Sequence, residues 1–148
     1  MIAPELAETL ARLSAATPLM RDPWWLIGSA AMALHGAAPI TVADVDLLAS
    51  PSDARRLAQA WGIALQPSAP SPLFRSEVYF QWPEPPVPVD VMAGFQVMTP
   101  QGWAAVRPRT RVAVGGLFTP DLSEQIEILE RFGRPKDLAR VTVLRALT

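Results

Sequence analysis

The chain has 148 residues, of which 50% are hydrophobic and 18% charged, so we expect residues 1–148 to form one globular domain with a sizeable core. The formal net charge of −1 argues against an extended nucleic-acid surface, which normally makes a domain strongly basic. The absence of cysteine excludes disulfides and thiolate metal sites, and a single histidine cannot form a histidine zinc site, so any bound metal should be a hard ion held by oxygen.

Neither a signal peptide nor a membrane span is predicted. Residues 1–5 lack the basic opening and the long apolar run of a secretory signal. No apolar segment approaches the roughly twenty residues that span a bilayer. We therefore expect a cytoplasmic protein with no membrane partner.

The first elements follow from hydrophobic spacing. Leucines at helical intervals predict an amphipathic helix from Pro4 to about Ala16 that packs on a sheet. Trp24–Ile27 is almost entirely apolar, as expected of a strand inside a sheet. A short Ala-rich helix is predicted from Ser29 to His35, ended by Gly36. His35 would lie in its last turn, in either a structural or a chemical role.

A second strand is predicted within Thr41–Leu48, and it carries Asp44 and Asp46. Because side chains alternate along a strand, both carboxylates should project from one face while Val45 and Leu47 face the core. Parallel carboxylates repel each other unless a cation lies between them, and a divalent ion is the usual solution. An Asp-x-Asp pair is also compatible with two solvated acids at a strand edge.

The turn before this strand favours the metal-binding interpretation. Gly28 and Ser29 close one strand and open a helix, which presents backbone N–H groups and a hydroxyl to a phosphate. Phosphate binding beside a carboxylate pair is what a triphosphate with magnesium requires. The stretch Leu26–Leu48 resembles the nucleotidyltransferase superfamily that includes DNA polymerase β. It is most similar to the small bacterial branch that contains abortive-infection toxins and antibiotic nucleotidyltransferases.

The middle of the chain predicts one helix and then proline-rich loops. Residues Ser50–Asp53 have the capping pattern of a helix start, and that helix should stop at Gly62. Seven of the sixteen prolines lie between Pro67 and Pro88, so this region should hold loops and an edge hairpin.

A third carboxylate is predicted on the second strand of that hairpin. Val89 and Val91 flank Asp90, so the valines should face the core and Asp90 the open face, beside Asp44 and Asp46. The resemblance also implies a third acid on a later strand. Glu77, at the start of its strand, and Glu84, among prolines, are the competing candidates.

The C-terminal part of the chain predicts a further strand and two helices. Arg109–Val114 alternates, which would place Arg107, Arg109 and Arg111 along one side, either as a solvated edge or facing an anionic substrate. A capped helix should open at Asp121 and close at Gly133. The last helix should begin at Pro135, with three residues facing inward: Leu138, Val141 and Leu144.

The start of this last helix is the second part of the resemblance. Small nucleotidyltransferases often carry Arg-x-Lys-Asp in a C-terminal helical region, which here corresponds to Arg134–Asp137 and implies that Lys136 contacts the phosphates. Lys136 is the only lysine in the chain. The alternative is an ordinary surface charge. Two positions depart from the family: Ala37–Ile40 lacks an arginine that many members carry, and Arg140 occupies a position where relatives often show an acid.

The expected fold is α/β, a small mixed sheet with helices mainly on one face, its core at residues 24–93 and a C-terminal helical pair at about 120–148. The resemblance implies transfer of a nucleoside monophosphate from a nucleoside triphosphate to a hydroxyl, with release of pyrophosphate. Asp44, Asp46 and Asp90 would hold two magnesium ions, and Asp90 would help to deprotonate the acceptor.

The prediction also includes the nucleotide-binding residues, the possible acceptors and the alternative functions. The resemblance implies that Gly28, Ser29 and Lys136 bind the nucleotide. The acceptor stays open between a tRNA end, a protein hydroxyl and a small antibiotic. The main alternative is an inactive nucleotide-binding or protein-interaction module on the same fold, as in a toxin–antitoxin pair. A glycosyltransferase or phosphatase would give the Gly-Ser helix no role.

Overall fold

The structure, a computed structural model, describes residues 2–148. The helices are α1 (Pro4–Ala16), α2 (Gly28–Leu34), α3 (Pro51–Ala60), α4 (Leu122–Phe132) and α5 (Pro135–Arg145). The strands are β1 (Trp25–Ile27), β2 (Val45–Ala49), β3 (Phe74–Arg75), β4 (Val78–Trp82), β5 (Val89–Ala93), β6 (Gln96–Thr99), β7 (Gly102–Ala105), β8 (Val112–Val114) and β9 (Leu117–Thr119). A short 3-10 helix, Thr17–Leu19, follows α1.

The main sheet has the strand order β1-β2-β5-β4. Its central strands β2 and β5 run parallel, whereas β1 and β4 are antiparallel edge strands. A three-stranded sheet β3-β6-β7 and the hairpin β8-β9 lie beside it. The predicted α/β fold, with a mixed sheet and a C-terminal helical pair, is confirmed.

Alternation along β2 and β5 separates the core face from the open face of this sheet. Val45, Leu47, Val89 and Val91 are completely buried in a cluster that α1 and α3 cover with their own leucines and alanines. Asp46 and Asp90 project from the opposite face. The same short strands therefore form both the core and the candidate site.

The C-terminal helices are attached to the site through α2. Met32 of α2 is fully buried against Leu129 of α4 and against Val141 and Leu144 of α5. This cluster packs α2 against both C-terminal helices. Leu138, which the sequence predicts to face inward, is 50% exposed, because the buried position of that turn is occupied by Asp137.

Two predicted boundaries near the carboxylates are wrong. The second strand begins at Val45 rather than Thr41, since its neighbour β1 ends at Ile27, opposite Asp46, and offers no partner further back. Asp44 therefore lies just before the strand. The Ala-rich helix ends at Leu34, and His35 caps it with its Nε2 2.7 Å from Thr119 Oγ1, which favours the structural role.

The strand predicted at Arg109–Val114 is shorter than expected. The buried carboxylate of Glu124 accepts hydrogen bonds from the backbone N–H groups of Arg109 and Thr110, each at 2.7 Å, so those groups are not available to a strand. Arg109 also binds Glu127 at 2.8 Å, and the Arg111 guanidinium lies 3.5 Å from the Phe118 ring centre. Both arginines thus have internal partners rather than forming a row for an anion.

Within residues 2–148, no helix has the length and apolar character needed to cross a membrane.

Thr9 provides a test of how α1 is attached to the sheet. It is fully buried, and its hydroxyl accepts from the Val87 N–H at 2.9 Å and donates to the Val87 carbonyl at 3.0 Å. We expect Thr9→Val to lower the free energy of unfolding by about 2–3 kcal/mol, because both Val87 groups lose a buried partner. Urea unfolding measures this. Thr17→Val, which removes only a helix-end bond to Ser14, is the control and should cost under about 1 kcal/mol; equal losses in the two variants would contradict the role of Thr9.

Candidate functional site

Three carboxylates meet at one edge of the open face. Asp46 and Asp90 are directly opposite each other in the parallel pairing of β2 with β5, and Asp44 precedes β2 by one residue. An oxygen from each of the three lies within 4.8 Å of the others. Face alternation correctly placed Asp46 and Asp90 on the same side of the sheet.

The start of α2 lies against this group. Gly28 has a φ of 68°, and a Cβ atom at this position would be 2.7 Å from Oδ2 of Asp46. Any other residue would be strained in this backbone conformation and would also displace the carboxylate. Glycine is therefore required here by both the backbone and the approach of Asp46. Ser29 is the second residue of α2 and is 4% exposed.

The three acids strongly influence one another. Burial, followed by the charges of Asp44 and Asp90, raises the pKa of Asp46 to about 7, against the opposing effect of Arg140 and Lys136. Burial and Asp44 also raise the pKa of Asp90. A bound cation would oppose both shifts, since it favours the ionised form of each carboxylate.

Two side chains that sequence reasoning missed orient Asp90. Tyr79 Oη and Gln81 Nε2 both donate to Oδ1 of Asp90, at 3.0 and 3.1 Å. Burial and the charge of Asp90 raise the pKa of Tyr79 to about 12, so its hydroxyl stays a donor. The available signal was the alternation of β4, which puts Tyr79 and Gln81 on the same open face as Asp90.

A cavity of about 980 Å³ opens in front of the carboxylates. Asp90 and Gly28 do not line it themselves but lie next to Asp46, which does. The charged or polar residues that line this end of the cavity are Ser29, Asp44, Asp46, Lys136 and Arg140.

Lys136 and Arg140 do not form ion pairs with the three carboxylates. None of the ion pairs within 4.0 Å in residues 2–148 involves Lys136, Arg140 or the three acids. Arg140 is nevertheless half-buried. Lys136, Arg140, Asp44 and Asp46 thus line one cavity without direct ion pairs between the two cations and the acids.

In the Arg-x-Lys-Asp segment, Arg134 and Asp137 stabilise the fold and Lys136 lines the cavity. Arg134 and the fully buried Asp137 bind each other, with Nε to Oδ2 at 2.6 Å, and fix the start of α5. Lys136 is exposed and lines the same cavity as Ser29. Arg140, one turn further along α5, adds a second cation that the sequence analysis recognised only as a departure from the family.

The two competing acids are engaged elsewhere. Glu77 lies on the cavity rim and pairs with Arg55 at 3.4 Å. Glu84 has 74% of its side chain exposed and lies 3.8 Å from Arg12. Neither belongs to the group of three carboxylates.

The fold is that of a solved protein. TM1012 of Thermotoga maritima, a candidate nucleotidyltransferase, matches with a TM-score of 0.74 over 96% of this chain and 93% of its own, at 17% sequence identity. The chain has a nucleotidyltransferase fold. No protein-family model and no curated protein matches the sequence, so the comparison concerns the fold and not a particular branch of the superfamily.

The pKa of Asp46 predicts an unusual dependence of stability on pH. Folded Asp46 holds its proton up to about pH 7, whereas the unfolded chain releases it near the ordinary value of 3.8. Without metal, this contribution to the free energy of unfolding is fully present below pH 3.8 and is lost as pH rises to 7. At pH 8, Asp46→Asn should therefore stabilise the metal-free protein by about 2 kcal/mol, after allowance for solvent screening.

Urea unfolding across this pH range, with a chelator present, measures the difference between wild type and Asp46→Asn. Glu84→Gln removes an exposed carboxylate and is the matched control, expected to change stability by less than about 0.5 kcal/mol at any pH. Parallel pH profiles for wild type and Asp46→Asn would show that Asp46 titrates normally.

Proposed function

We propose that the protein is a magnesium-dependent nucleotidyltransferase that moves a nucleoside monophosphate from a nucleoside triphosphate to a hydroxyl acceptor. The observation that supports this most directly is the meeting of Asp44, Asp46 and Asp90 within 4.8 Å, beside a cavity that Lys136 and Arg140 also line. The shared fold with TM1012 is consistent with the same reaction class.

The donor set fits magnesium. All three groups offer carboxylate oxygen, which is the ligand that hard divalent ions such as Mg²⁺ prefer. The raised pKa values of Asp46 and Asp90 indicate a site whose negative charge is not compensated by the protein alone. We propose that these acids hold two ions, which would neutralise the polyphosphate and acidify the acceptor hydroxyl.

The groups around the carboxylates in this cavity would bind the phosphates. Ser29 and the backbone N–H groups that follow Gly28 supply neutral donors at the start of α2. Lys136 and Arg140 supply two positive charges from successive turns of α5. Since phosphoryl-type transfer depends mainly on positioning and charge neutralisation, these groups provide most of what the reaction requires from the protein.

Asp90 is the group best placed to assist the acceptor. Tyr79 and Gln81 both donate to its Oδ1, which leaves Oδ2 free of these donors. In the proposed step, the acceptor oxygen forms a bond to the α-phosphorus and the bond from that phosphorus to the β-phosphate oxygen breaks. The hydroxyl proton passes by way of Asp90 to solvent, and pyrophosphate leaves.

Removal of the carboxylates tests the activity. Asp46→Asn and Asp90→Asn should each reduce pyrophosphate release from pooled nucleoside triphosphates and magnesium by about 100-fold or more, because each removes a charge from the metal site. Glu84→Gln is the control and should keep wild-type turnover. Mass spectrometry of a mixture of candidate tRNA, protein and antibiotic acceptors would identify the modified molecule. If the wild-type protein binds the triphosphate but releases no pyrophosphate in the presence of that acceptor mixture, the result would instead favour the inactive binding module.

The cations of α5 should affect binding rather than folding. We expect Lys136→Ala and Arg140→Ala each to weaken binding of a non-hydrolysable triphosphate with magnesium by about tenfold, since each removes a charged contact to phosphate. Thermal stability should be nearly unchanged, because neither side chain has an ion-pair partner in the described chain. Calorimetric titration measures the affinity. Arg131→Ala is the control, because Arg131 is an exposed arginine of α4. Unaltered affinity in the Lys136 and Arg140 variants would show that both residues are ordinary surface charges.

A further inference from the structure

One end of the cavity, next to the charged groups, is aromatic. Phe74, Phe95 and Phe132 all line it. The Phe74 and Phe132 rings are 4.9 Å apart, nearly perpendicular, and the Phe95 ring is 5.4 Å from Phe74. Phe95 is buried, whereas Phe74 and Phe132 are only half-buried and remain accessible from the cavity.

A fixed guanidinium completes this end. The Arg134 guanidinium lies 4.9 Å from the centre of the Phe74 ring and 5.9 Å from that of Phe132. Its two bonds to Asp137, at 2.6 and 3.0 Å, hold it in one orientation. A third of the Arg134 side chain, 34%, remains exposed, and it lines the cavity.

The aromatic end and the charged end adjoin each other. Arg134 and Lys136 are two residues apart at the start of α5, and both line the cavity. The volume of about 980 Å³ is at the upper end of the range for ligand pockets, so it exceeds what a polyphosphate with metal ions needs. An apolar wall offers nothing to phosphate oxygens. A flat ring is the ligand that stacked arginine and phenylalanine favour.

We propose that Phe74, Phe132 and Arg134 bind the base of the nucleoside triphosphate by stacking, while Lys136 and Arg140 hold its phosphates. This inference rests on the proposed function, since it assigns the other half of the same substrate. Stacking uses the face of the ring rather than its edge. The site should therefore accept all four common bases with affinities within about tenfold of one another.

The test compares two ligands that differ in the base: a non-hydrolysable nucleoside triphosphate and inorganic tripolyphosphate, each titrated calorimetrically with magnesium. Phe74→Leu keeps apolar bulk but removes the flat ring, and Arg134→Lys keeps the charge beside Asp137 but removes the planar guanidinium. Each variant should weaken nucleoside triphosphate binding by about five- to tenfold and change tripolyphosphate binding by less than about twofold.

Phe118→Leu is the matched control, because Phe118 is also half-buried, contacts an aromatic ring edge-to-face, lies under an arginine guanidinium, and is outside the cavity. It should leave both affinities unchanged. Wild-type nucleotide affinity in Phe74→Leu and Arg134→Lys would overturn the base site while leaving the proposed function intact. Equal weakening of both ligands would overturn it as well, since the residues would then act through the fold. Failure of wild type to bind either ligand would overturn the proposed function and the base site together.

Discussion

The mutual repulsion of Asp44, Asp46 and Asp90 is the constraint on which the rest of the structure depends. Three partly buried carboxylates within 4.8 Å disfavour the folded state whenever they are ionised together. The fold offsets this on the reverse side of the same strands, where the apolar side chains of β2 and β5 are fully buried under α1 and α3. Because alternation links the two faces, a shift of one residue in the pairing would bury the acids and expose the core.

The same constraint extends to α2 and then to the C-terminal helices. Asp46 can approach the start of α2 only because Gly28 has no side chain. Met32, one turn further along, carries the buried contact with Leu129 and Leu144. The distance between the carboxylates and the cations of α5 is therefore set by apolar packing in a cluster that contains none of the charged groups. Substitutions in that cluster should affect the site without touching it.

Local pattern was sufficient for some parts of the site and not for others. Period-two alternation predicted that Asp46 and Asp90 share a face, and capping chemistry predicted the starts of α3, α4 and α5. The start of β2 at Val45 depends on how far its partner strands β1 and β5 reach, and the shortened β8 depends on a carboxylate 14 residues from Thr110 along the chain. The approach of Arg140 to the acids depends on how α5 packs against α2. None of these long-range effects has a signature in a short window of sequence.

The positive charge of this site comes from α5 rather than from the segment before β2. Residues 37–40, where many nucleotidyltransferases carry an arginine, contribute to the packing in this chain: Ala37 is 6% exposed in the cluster with Met32, and Ile40 packs against the same group. A long charged side chain at the buried position would separate α2 from the C-terminal pair. Arg140, in contrast, lies at a position that faces the cavity, and its charge lowers the pKa of Asp46. Positive charge supplied from α5 is therefore compatible with the packing of α2.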